Sequence, residues 1–437
     1  MYASLLRGAL FRDRQREVAR YEQRYGLDLD RAEIERFQAE RLNTIWRYCL
    51  DEVPFYRSWA AEHGLPERIS SLADLKGFPV LTKAVIVERG DEVFQGGAID
   101  LAYSTGGTSG VPARYPRGKR DALGTYANTY TGRGWWGIKP FDSYLHIWGH
   151  AHLFGGEGLS GKVQKLKRRA ADGLVNAVRV NGYDMTAEAI ESHYMVLLQR
   201  NPTYVVGYTS AIFRLARHIE ARGEGVASLT KLRAVVVTAE TVTRADVDLI
   251  SGVFQVPVII EYGAAETGVM ATSRGSSWPL QVLWQSFIVS VADGGEMAVT
   301  TLNDRLFPLI NYAIGDRTEG GDLVDGNALT LDAVTGRSKD VVVVSTTNGE
   351  HLELSAILPV HILKSQQGVT AVQFRQEGPG TLRIYLSADR ELVLNDVTAT
   401  FTAHLSRDHA TYDPGSVAFE QSSEPMLTKA GKQALFV

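Results

Sequence analysis

The middle of the chain alternates between short apolar runs and longer amphipathic stretches. Runs rich in β-branched residues predict buried strands at Thr203–Val206, Ala234–Val237 and Val256–Ile260. Stretches with apolar residues at a helical period predict helices at Thr186–Gln199, Ser210–Arg222 and Arg244–Ser251. Strands that alternate with helices are typical of an α/β fold, here with mixed, largely parallel sheets flanked by helices. Ligand sites in such folds lie at the carboxyl ends of the strands.

The two ends of the chain have patterns of their own. Near the start, apolar residues at a helical period predict a helix at Arg31–Leu50. Towards the end, a run of valines and an Asn348-Gly349 hairpin signal open a series of shorter strands and helices. This change predicts a small α+β C-terminal domain that begins near Lys339. The predicted domains are 1–338 and 339–437.

Composition and charge narrow the class of protein. The 437 residues are too many for one compact core, and 46 basic against 50 acidic residues give a net charge of −4, which does not favour nucleic acid. The single cysteine, Cys49, excludes an internal disulfide framework and points to a reducing cytoplasm.

No apolar stretch approaches the ~18 residues that span a bilayer. Arg7 and the charged run Arg12–Glu17 do not suit a signal peptide. We therefore expect a cytoplasmic protein without stable membrane insertion, whose first residues dock on its own surface or contact a membrane peripherally.

A run of small and hydroxylated residues, Tyr103–Pro112, follows a short apolar segment. Main-chain N–H groups crowd together where side chains are this small, so the run can fold around phosphate oxygens, and the hydroxyls of Thr105, Thr108 and Ser109 add donors. An ordinary Gly/Ser surface turn would have the same composition. The common phosphate loop has a lysine where this run has Val111.

A second Gly-rich segment, Gly156–Lys162, is closer to the common phosphate loop. It continues with Val163, so the hydroxyl that would hold magnesium is missing, and we treat the match as accidental. The basic residues nearby could form a solvated helix face or a polynucleotide-binding surface. Aromatic residues for base stacking do not flank them, which favours the helix face. These basic residues are Lys162, Lys165, Lys167, Arg168 and Arg169.

Two carboxylates follow strand-like runs further along the chain. Glu266 lies in the segment Glu261–Gly268, where the flanking glycines predict a turn after the strand. A single carboxylate together with nucleotide phosphates is a common way to hold Mg²⁺. Asp316 ends the segment Pro308–Asp316, where it could accept hydrogen bonds from sugar hydroxyls. Taken alone, Glu266 could be a cap or a salt-bridge partner, and Asp316 a turn residue that bonds its own backbone.

Several of these blocks occur together in one known superfamily. The blocks are Tyr103–Pro112, Glu261–Gly268, Pro308–Asp316, Gly336–Asp340 and Pro425–Lys432. In this order they resemble the adenylate-forming superfamily of acyl-CoA synthetases, peptide-synthetase adenylation domains and luciferases. The resemblance is closest to phenylacetate-CoA ligases and their relatives in capsular polysaccharide clusters, and it runs from about residue 30 to the C-terminus. Each block alone is common, whereas their shared order is specific.

The resemblance implies a site for ATP and Mg²⁺. Glu266 would bind the magnesium, Asp316 would hold the ribose hydroxyls, and Tyr262 would stack near the adenine. Lys339 would be the hinge about which the small, mobile C-terminal domain rotates. Lys432 would reach into the adenylation site as a catalytic residue beside Glu266. The other residues implied at the nucleotide are Thr105, Gly106, Gly107, Thr108, Ser109, Gly110, Glu240, Gly263 and Arg337.

The acid pocket is implied by two aromatic segments, Leu145–Phe154 and Tyr204–Thr209. The resemblance places its wall at Trp148, His150, Tyr208 and Ala264, and the aromatic lining suggests an aryl or other compact apolar acid. The three histidines of the first segment could also suggest a metal. Their spacing of i, i+4 and i+6 puts only two of them on one helical face, and Glu157 is the only nearby acidic residue, so a core or gate role is favoured.

The resemblance implies the reaction of this superfamily, and the chemistry of carboxylates explains its steps. Joining a carboxylate to the α-phosphorus of ATP releases pyrophosphate and gives an acyl-adenylate from which AMP departs easily. Catalysis of this step is mostly positioning and charge stabilisation. We therefore expect an AMP-forming ligase that transfers the acyl group to CoA. An amine or a carrier-protein thiol is the alternative acceptor, and a non-catalytic nucleotide-binding protein is the alternative of another class.

The chain departs from the family pattern in three places. Ala313 stands where an arginine often precedes the Gly-Asp pair, and the loop at 103–112 lacks its lysine. The segment after Lys339 lacks the Gly-x-Asn turn that phenylacetate ligases use near the CoA channel. The sequence therefore supports the adenylation half of the reaction better than the acceptor half.

Overall fold

The structure is a computed structural model that describes most of the chain. It describes residues 10–437 except 95–100, 105–113, 149–169, 183–186, 224–225, 227–228, 319, 338–340, 365, 367 and 428–433. By packing, the chain divides into two compact units. Unit 1 contains residues 1–142 and 259–334, and unit 2 contains residues 143–258 and 335–437.

Helices and strands alternate along most of the described chain. The α-helices are α1 (Arg12–Tyr25), α2 (Arg31–Glu52), α3 (Pro54–His63), α4 (Lys83–Glu88), α5 (Gly90–Val93), α6 (Lys119–Gly134), α7 (Ala187–Arg200), α8 (Thr209–Arg222), α9 (Arg244–Phe254), α10 (Ile357–Lys364) and α11 (Leu394–Asp408). Short 3₁₀ helices lie at Leu72–Gly77 and Pro414–Ser416.

The strands are β1 (Leu101–Ser104), β2 (Arg114–Arg117), β3 (Tyr144–Trp148), β4 (Ala177–Asn181), β5 (Tyr204–Tyr208), β6 (Ala234–Thr238), β7 (Val258–Ala264), β8 (Gly268–Arg274), β9 (Ser276–Val282), β10 (Phe287–Val291), β11 (Glu296–Thr301), β12 (Tyr312–Thr318), β13 (Leu323–Val324), β14 (Asn327–Ala328), β15 (Thr330–Leu331), β16 (Val334–Arg337), β17 (Val341–Ser345), β18 (His351–Ser355), β19 (Val369–Gly378), β20 (Thr381–Ala388) and β21 (Val417–Ser422).

Unit 1 is built from antiparallel strands and the N-terminal helices. Its strands pair in the orders β13-β14-β10-β11-β12 and β15-β9-β8-β7. Helix α1 packs against α6 through Val18 and Tyr21, which meet Ala127 and Tyr130 in one apolar cluster. Asp30 caps α2 with a reciprocal capping box, which explains why this helix begins at its predicted first residue.

Unit 2 contains the parallel strands that the sequence predicts. They pair in the order β6-β5-β3-β4, and all of these neighbours run parallel. Helix α8 packs against β5 and β6, and α9 packs against β6. Every residue of β5 is buried, as expected for a strand covered on both faces. Parallel strands end at the same edge of the sheet, which places Trp148, Tyr208 and Thr238 next to one another along that edge.

The C-terminal part of unit 2 has its own apolar core. The strand order is β19-β20-β21, a β17-β18 hairpin lies beside it, and α10 and α11 cover the sheet. Phe374 and Phe401 are fully buried in this core. Two ion pairs join helix α8 of the same unit to this part of the chain, Arg217 with Asp389 at 2.6 Å and Arg214 with Glu424 at 2.9 Å.

The α/β class and the parallel sheet are confirmed, and the strands begin or end within a few residues of their predicted bounds. By packing, residues 335–437 are grouped with 143–258. The domain bounds 1–338 and 339–437 stay predictions. Residue Lys339 lies outside the described residues, so the hinge and the mobility of the small domain stay predictions. Within the described part of the chain, no helix is both long and apolar enough to cross a lipid bilayer.

Candidate functional site: two carboxylates on linked strands

Glu266 lies in a tight turn between β7 and β8, as the sequence predicts. The strands pair up to Ala264 and Gly268, which leaves three residues for the turn. A Cβ added to Gly263 would lie 2.0 Å from the carbonyl oxygen of Gly268, so the strands can approach this closely only because residue 263 is glycine. Gly268 has a φ of +74°, a left-handed conformation that glycine adopts without strain. The glycines of this block therefore determine where Glu266 is held.

The Glu266 side chain accepts a hydrogen bond from a buried tyrosine. The Tyr312 hydroxyl donates to Glu266 Oε1 at 2.9 Å. The Tyr115 hydroxyl lies 3.0 Å from that of Tyr312, and because Tyr312 gives its only proton to Glu266, Tyr115 donates to Tyr312. Both tyrosines are at least nine-tenths buried. One carboxylate oxygen is thus fixed by a chain of two phenols.

An arginine holds the main chain of the same turn. Arg305 donates from Nη2 to the carbonyl oxygen of Glu266 and pairs with Asp121 through Nε at 3.4 Å. Asp121 also accepts hydrogen bonds from the main-chain N–H groups of Gly118 at 3.0 Å and Leu306 at 3.2 Å. Burial lowers the pKa of the Arg305 guanidinium, and the charge of Asp121 opposes that shift. Glu266 is therefore held both at its side chain and at its backbone.

The second carboxylate, Asp316, is tied to the same hairpin. The Tyr262 hydroxyl on β7 donates to Asp316 Oδ2 on β12 at 2.8 Å. The residue before Asp316 is Gly315, whose φ of +85° again favours glycine. Two tyrosine–carboxylate bonds therefore link β12 to the β7–β8 hairpin, Tyr262 with Asp316 and Tyr312 with Glu266.

These tyrosines stay protonated at neutral pH. Burial, followed by the negative charge of Asp316, raises the pKa of Tyr262 well above its ordinary value. Burial, followed by the charge of Glu266, raises the pKa of Tyr115 and of Tyr312 in the same direction. A neutral phenol can donate to a carboxylate and a phenolate cannot, so the raised pKa values preserve the network.

The residues around Glu266 fit a metal ion that takes most of its ligands from water and phosphate oxygens. Oε2 of Glu266 forms no hydrogen bond with the residues that the structure describes. In the same part of the chain, no group of three or more His, Cys, Asp or Glu side chains could hold a metal. A single free carboxylate oxygen suits Mg²⁺, which keeps several waters and is often bound by one carboxylate plus phosphates.

In unit 2, Glu240 lies at the beginning of helix α8. Its carboxylate accepts from the main-chain N–H of Ser210 at 2.8 Å and from the Ser210 hydroxyl at 3.1 Å. Strand β6 ends at Thr238, and Ala239 has a φ of +65°, which is uncommon for a residue with a Cβ. This turn brings Glu240 to the helix N-terminus, where a negative charge is stabilised.

The predicted wall of the acid pocket is a pair of stacked rings. The rings of Trp148 and Tyr208 have centroids 4.4 Å apart and planes 23° apart. Next to them, Arg179 donates from Nη1 to His146 Nδ1 at 2.6 Å, so the proton of a neutral His146 ring is on Nε2. Ala264, the other described wall residue, is in unit 1, where its N–H donates to Thr267 Oγ1 at 3.1 Å.

Several predicted site residues lie outside the described residues. They are Thr105, Gly106, Gly107, Thr108, Ser109, Gly110, His150, Lys339 and Lys432. The basic run 162–169 and the accidental match at 156–162 lie outside them as well. Arg337 is the last residue of β16, and the structure does not describe its side chain. The roles of all predicted site residues stay predictions.

Sequence reasoning missed the residues that hold Glu266. Tyr312 could have been found from the sequence, because it precedes Asp316 by four residues in one strand and side chains at even spacing share a face. No local pattern indicates Tyr115 or Arg305, since they are separated from their partners by 197 and 39 residues. Such contacts depend on tertiary packing.

Two curated proteins are similar to this chain over most of its length. No family model matches the chain. The phenylacetate-coenzyme A ligase of Escherichia coli (strain K12) is 24% identical over 345 residues, which cover 72% of this chain and 74% of that protein. Protein CapK of Staphylococcus aureus is 21% identical over 386 residues, which cover 82% of this chain and 80% of that protein.

Solved structures resemble the chain over most of its length. A 2-hydroxyisobutyryl-CoA ligase in the postadenylation state, in complex with 2-HIB-AMP, has a TM-score of 0.69 at 17% identity and covers 94% of this chain and 90% of its own. The anthranilate CoA ligase AuaEII in complex with anthranoyl-AMP has a TM-score of 0.51 at 16% identity and covers 78% of this chain and 66% of its own. The fold is that of the adenylate-forming superfamily. Within it, the two curated relatives support the phenylacetate-CoA ligase-like branch, so the resemblance found in the sequence is confirmed.

Proposed function

We propose that the protein is an AMP-forming acid–CoA ligase, which makes an acyl-adenylate from a carboxylic acid and ATP and then transfers the acyl group to CoA. The observation that carries the proposal is the pair of tyrosine–carboxylate bonds between β12 and the β7–β8 hairpin. These bonds bring two separate sequence blocks together in a fold whose solved examples include complexes with acyl-AMP. A salt-bridge or turn role for Glu266 and Asp316 does not require such a link.

In this proposal the two carboxylates have different tasks. Asp316 accepts hydrogen bonds from the ribose hydroxyls, and Tyr262 orients the carboxylate for them. Glu266 and the phosphate oxygens of ATP hold Mg²⁺, for which Oε2 is available. When bound, the ion neutralises phosphate charge that would otherwise repel the incoming carboxylate. Tyr312 and Arg305 keep Glu266 in place, so that its position costs no rearrangement during the reaction.

The remaining parts of the site follow from the family resemblance. The loop 105–110 binds the β- and γ-phosphates, Arg337 contacts ribose or phosphate, and Lys432 supplies positive charge in the adenylation step. The stacked rings of Trp148 and Tyr208 form a rigid flat wall, which favours an aryl or other compact apolar acid.

The test is pyrophosphate release with ATP, Mg²⁺ and a panel of aryl and short-chain acids. We expect release with at least one acid and an acyl-AMP of the corresponding mass. The Glu266→Gln variant should lose a factor of roughly 10² to 10³ in rate, the typical cost of one preorganised electrostatic group. Glu296→Gln changes an exposed carboxylate of the same unit, which pairs with Arg317 at 3.1 Å, and serves as the matched control.

The outcomes separate the alternatives. A folded protein that binds ATP but releases no pyrophosphate with any acid would be a nucleotide-binding protein without this activity. Where release occurs, parallel reactions with CoA, amines and a carrier-protein thiol identify the acceptor from the mass of the product. We expect the CoA thioester, and turnover that needs no CoA would instead favour an amine or carrier protein.

A further inference from the structure

A buried ion pair joins helix α6 to strand β7. Arg133, near the end of the helix, donates from Nε to Oε1 of Glu261 at 2.6 Å and from Nη2 to Oε2 at 2.9 Å. Both side chains are at most a tenth exposed. The planar guanidinium therefore meets both oxygens of the carboxylate, an arrangement that fixes direction as well as distance.

Stability alone does not explain this ion pair. Removing two charges from water costs about as much as their attraction returns, so well-packed apolar side chains in the same place are often as stable. A fork of two parallel bonds instead holds one backbone at a set position relative to the other. The effect of the pair therefore depends on what the held strand carries.

Helix α6 lies close to the β7–β8 hairpin at this point. A Cβ added to Gly132 would lie 2.5 Å from Cγ2 of Thr272, the residue that pairs with Glu261 across the hairpin. One residue further along β7, the register shifts between Tyr262 and Gly263. Such a bulge bends a strand and interrupts its ladder of hydrogen bonds. The ion pair therefore holds β7 directly before the place where regular pairing is interrupted.

Tyr262 is the residue that this support reaches. It follows Glu261 in β7, and neighbouring side chains of a strand point to opposite faces. Glu261 thus meets α6 on one face, while the Tyr262 hydroxyl donates to Asp316 Oδ2 at 2.8 Å. We propose that Arg133 and Glu261 are positioning residues, which hold Tyr262 so that it orients Asp316 for the ribose of the nucleotide. The inference rests on the proposed function, in which Asp316 accepts hydrogen bonds from the ribose hydroxyls.

The experiment compares two nucleotides that differ in one ribose hydroxyl. Calorimetry gives the Kd values of ATP and 2′-deoxyATP, and their ratio, the ribose preference, reports how well Asp316 is oriented. A hydrogen bond to a charged group is strong enough for the unaltered protein to bind ATP roughly tenfold more tightly than 2′-deoxyATP. Equal binding of the two nucleotides would mean that Asp316 does not hold the ribose, and the inference would fail.

Two variants remove the fork in different ways. Arg133→Lys keeps the positive charge, but an ammonium group cannot form the two parallel bonds. The double change Arg133→Met with Glu261→Leu replaces the ion pair by apolar side chains and leaves neither charge buried without its partner. The matched control is Arg89→Lys, because Arg89 makes the same fork to Glu92 at the start of α5, from Nε at 2.9 Å and from Nη2 at 2.7 Å.

We expect the ribose preference to fall roughly fivefold in both Arg133 variants, through weaker binding of ATP, and to stay unchanged in Arg89→Lys. Urea denaturation establishes that each variant is folded, and if Arg133→Lys is not, the double variant decides. A double variant that is as stable as the unaltered protein and keeps the ribose preference overturns the positioning role, since the ion pair would then serve packing alone.

A further comparison separates positioning from a general loss of structure. In an Asp316→Asn background, which lacks the carboxylate, Arg133→Lys should lower the ribose preference no further, because residues that act through one another are not additive. A second loss of the same size there would show that Arg133 acts by another route.

The failure of this inference and that of the proposed function can be told apart, because nucleotide binding needs no turnover. A protein that prefers ATP over 2′-deoxyATP but releases no pyrophosphate with any acid would refute the ligase function. The effect of Arg133→Lys on the ribose preference would still decide whether the ion pair positions Asp316.

Discussion

The Glu266 turn and the C-terminal segment 427–433 are anchored in different ways. The turn is held at its side chain by Tyr312 and at its backbone by Arg305, and both come from distant parts of unit 1. The C-terminal segment is held at its two ends, by Gln373 and by main-chain bonds within unit 2. In the first arrangement the bonds reach a functional atom directly, and in the second they are made by residues that flank the segment, Met426 and Ala434.

The two kinds of anchoring suit the two regions to different roles. A carboxylate that binds an ion must already be in place, and fixed dipoles around it cost no rearrangement during the reaction. A lysine that acts in one step can be carried by a segment whose flanking residues, Met426 and Ala434, are bonded to the core. We therefore expect changes at the turn to act through geometry and changes in the C-terminal segment to act on one step of the reaction.

The largest effect is expected from Lys432→Ala. Loss of the cationic group should lower the rate of adenylation by roughly 10² to 10³, while ATP still binds. Pyrophosphate exchange and ATP binding by calorimetry measure the two properties separately. The matched control is Lys429→Ala, which removes the other lysine of the same segment. Undiminished exchange in Lys432→Ala would remove the role that we assign to this lysine.

The next effect is expected from Gly263→Ala, which tests the rigidity of the turn. The new Cβ would lie 2.0 Å from a main-chain oxygen that cannot move alone, so the hairpin must open. Overpacking of this kind costs roughly 1–3 kcal/mol of unfolding free energy. We expect a loss of that size in urea denaturation and about a 10²-fold loss of adenylation through displacement of Glu266.

The control for that change is Gly252→Ala in helix α9, where a Cβ meets no atom within 4 Å. Replacement of a helical glycine by alanine should stabilise the protein by about 0.5–1 kcal/mol and leave the rate unchanged. If Gly263→Ala behaved like Gly252→Ala, the turn would be more adaptable than its glycines indicate.

Local sequence patterns predicted the strands and the turn that carries Glu266. Strands β5 and β6 are apolar runs and were found near their predicted bounds, and the glycines around Glu266 predicted its turn. The supports were not predicted, because Tyr115 and Tyr312 become neighbours only through tertiary packing across 197 residues. Gln373 carried a weak signal as a polar residue in an apolar strand, but its partners could not be read from the pattern.

A smaller effect is expected from Tyr312→Phe, which removes the hydroxyl that fixes Glu266 and leaves the ring. We expect about a tenfold lower kcat, a higher Mg²⁺ concentration for half-maximal rate and a nearly unchanged KM for ATP. Stability should fall by about 1 kcal/mol, the usual net value of a buried hydrogen bond.

The matched control for Tyr312→Phe is Tyr21→Phe in α1. Tyr21 is also buried, and its hydroxyl accepts a hydrogen bond from Ser286 at 3.1 Å rather than donating to a carboxylate. It should lower stability without changing the Mg²⁺ requirement. An identical Mg²⁺ dependence in Tyr312→Phe and the unaltered protein would show that Glu266 keeps its place without the phenol.

The smallest effect, from Tyr115→Phe, appears only in alkaline solution. The pKa of Tyr115 is raised in the folded protein, first by burial and then by the charge of Glu266, whereas in the unfolded chain it is near its ordinary value of about 10. Above about pH 10 the unfolded state releases a proton that the folded state retains, so the stability contributed by Tyr115 is complete below that pH and declines above it. Each such tyrosine steepens the decline of the unfolding free energy by about 1.4 kcal/mol per pH unit.

Tyr115→Phe should therefore flatten the fall of the unfolding free energy between about pH 10 and 11, because all other titrating groups are common to both proteins. Urea denaturation at a series of pH values measures this slope. Parallel curves would mean that the Tyr115 phenol ionises as readily in the folded protein as in the unfolded chain, which would contradict the effect of its burial beside Glu266 on its pKa.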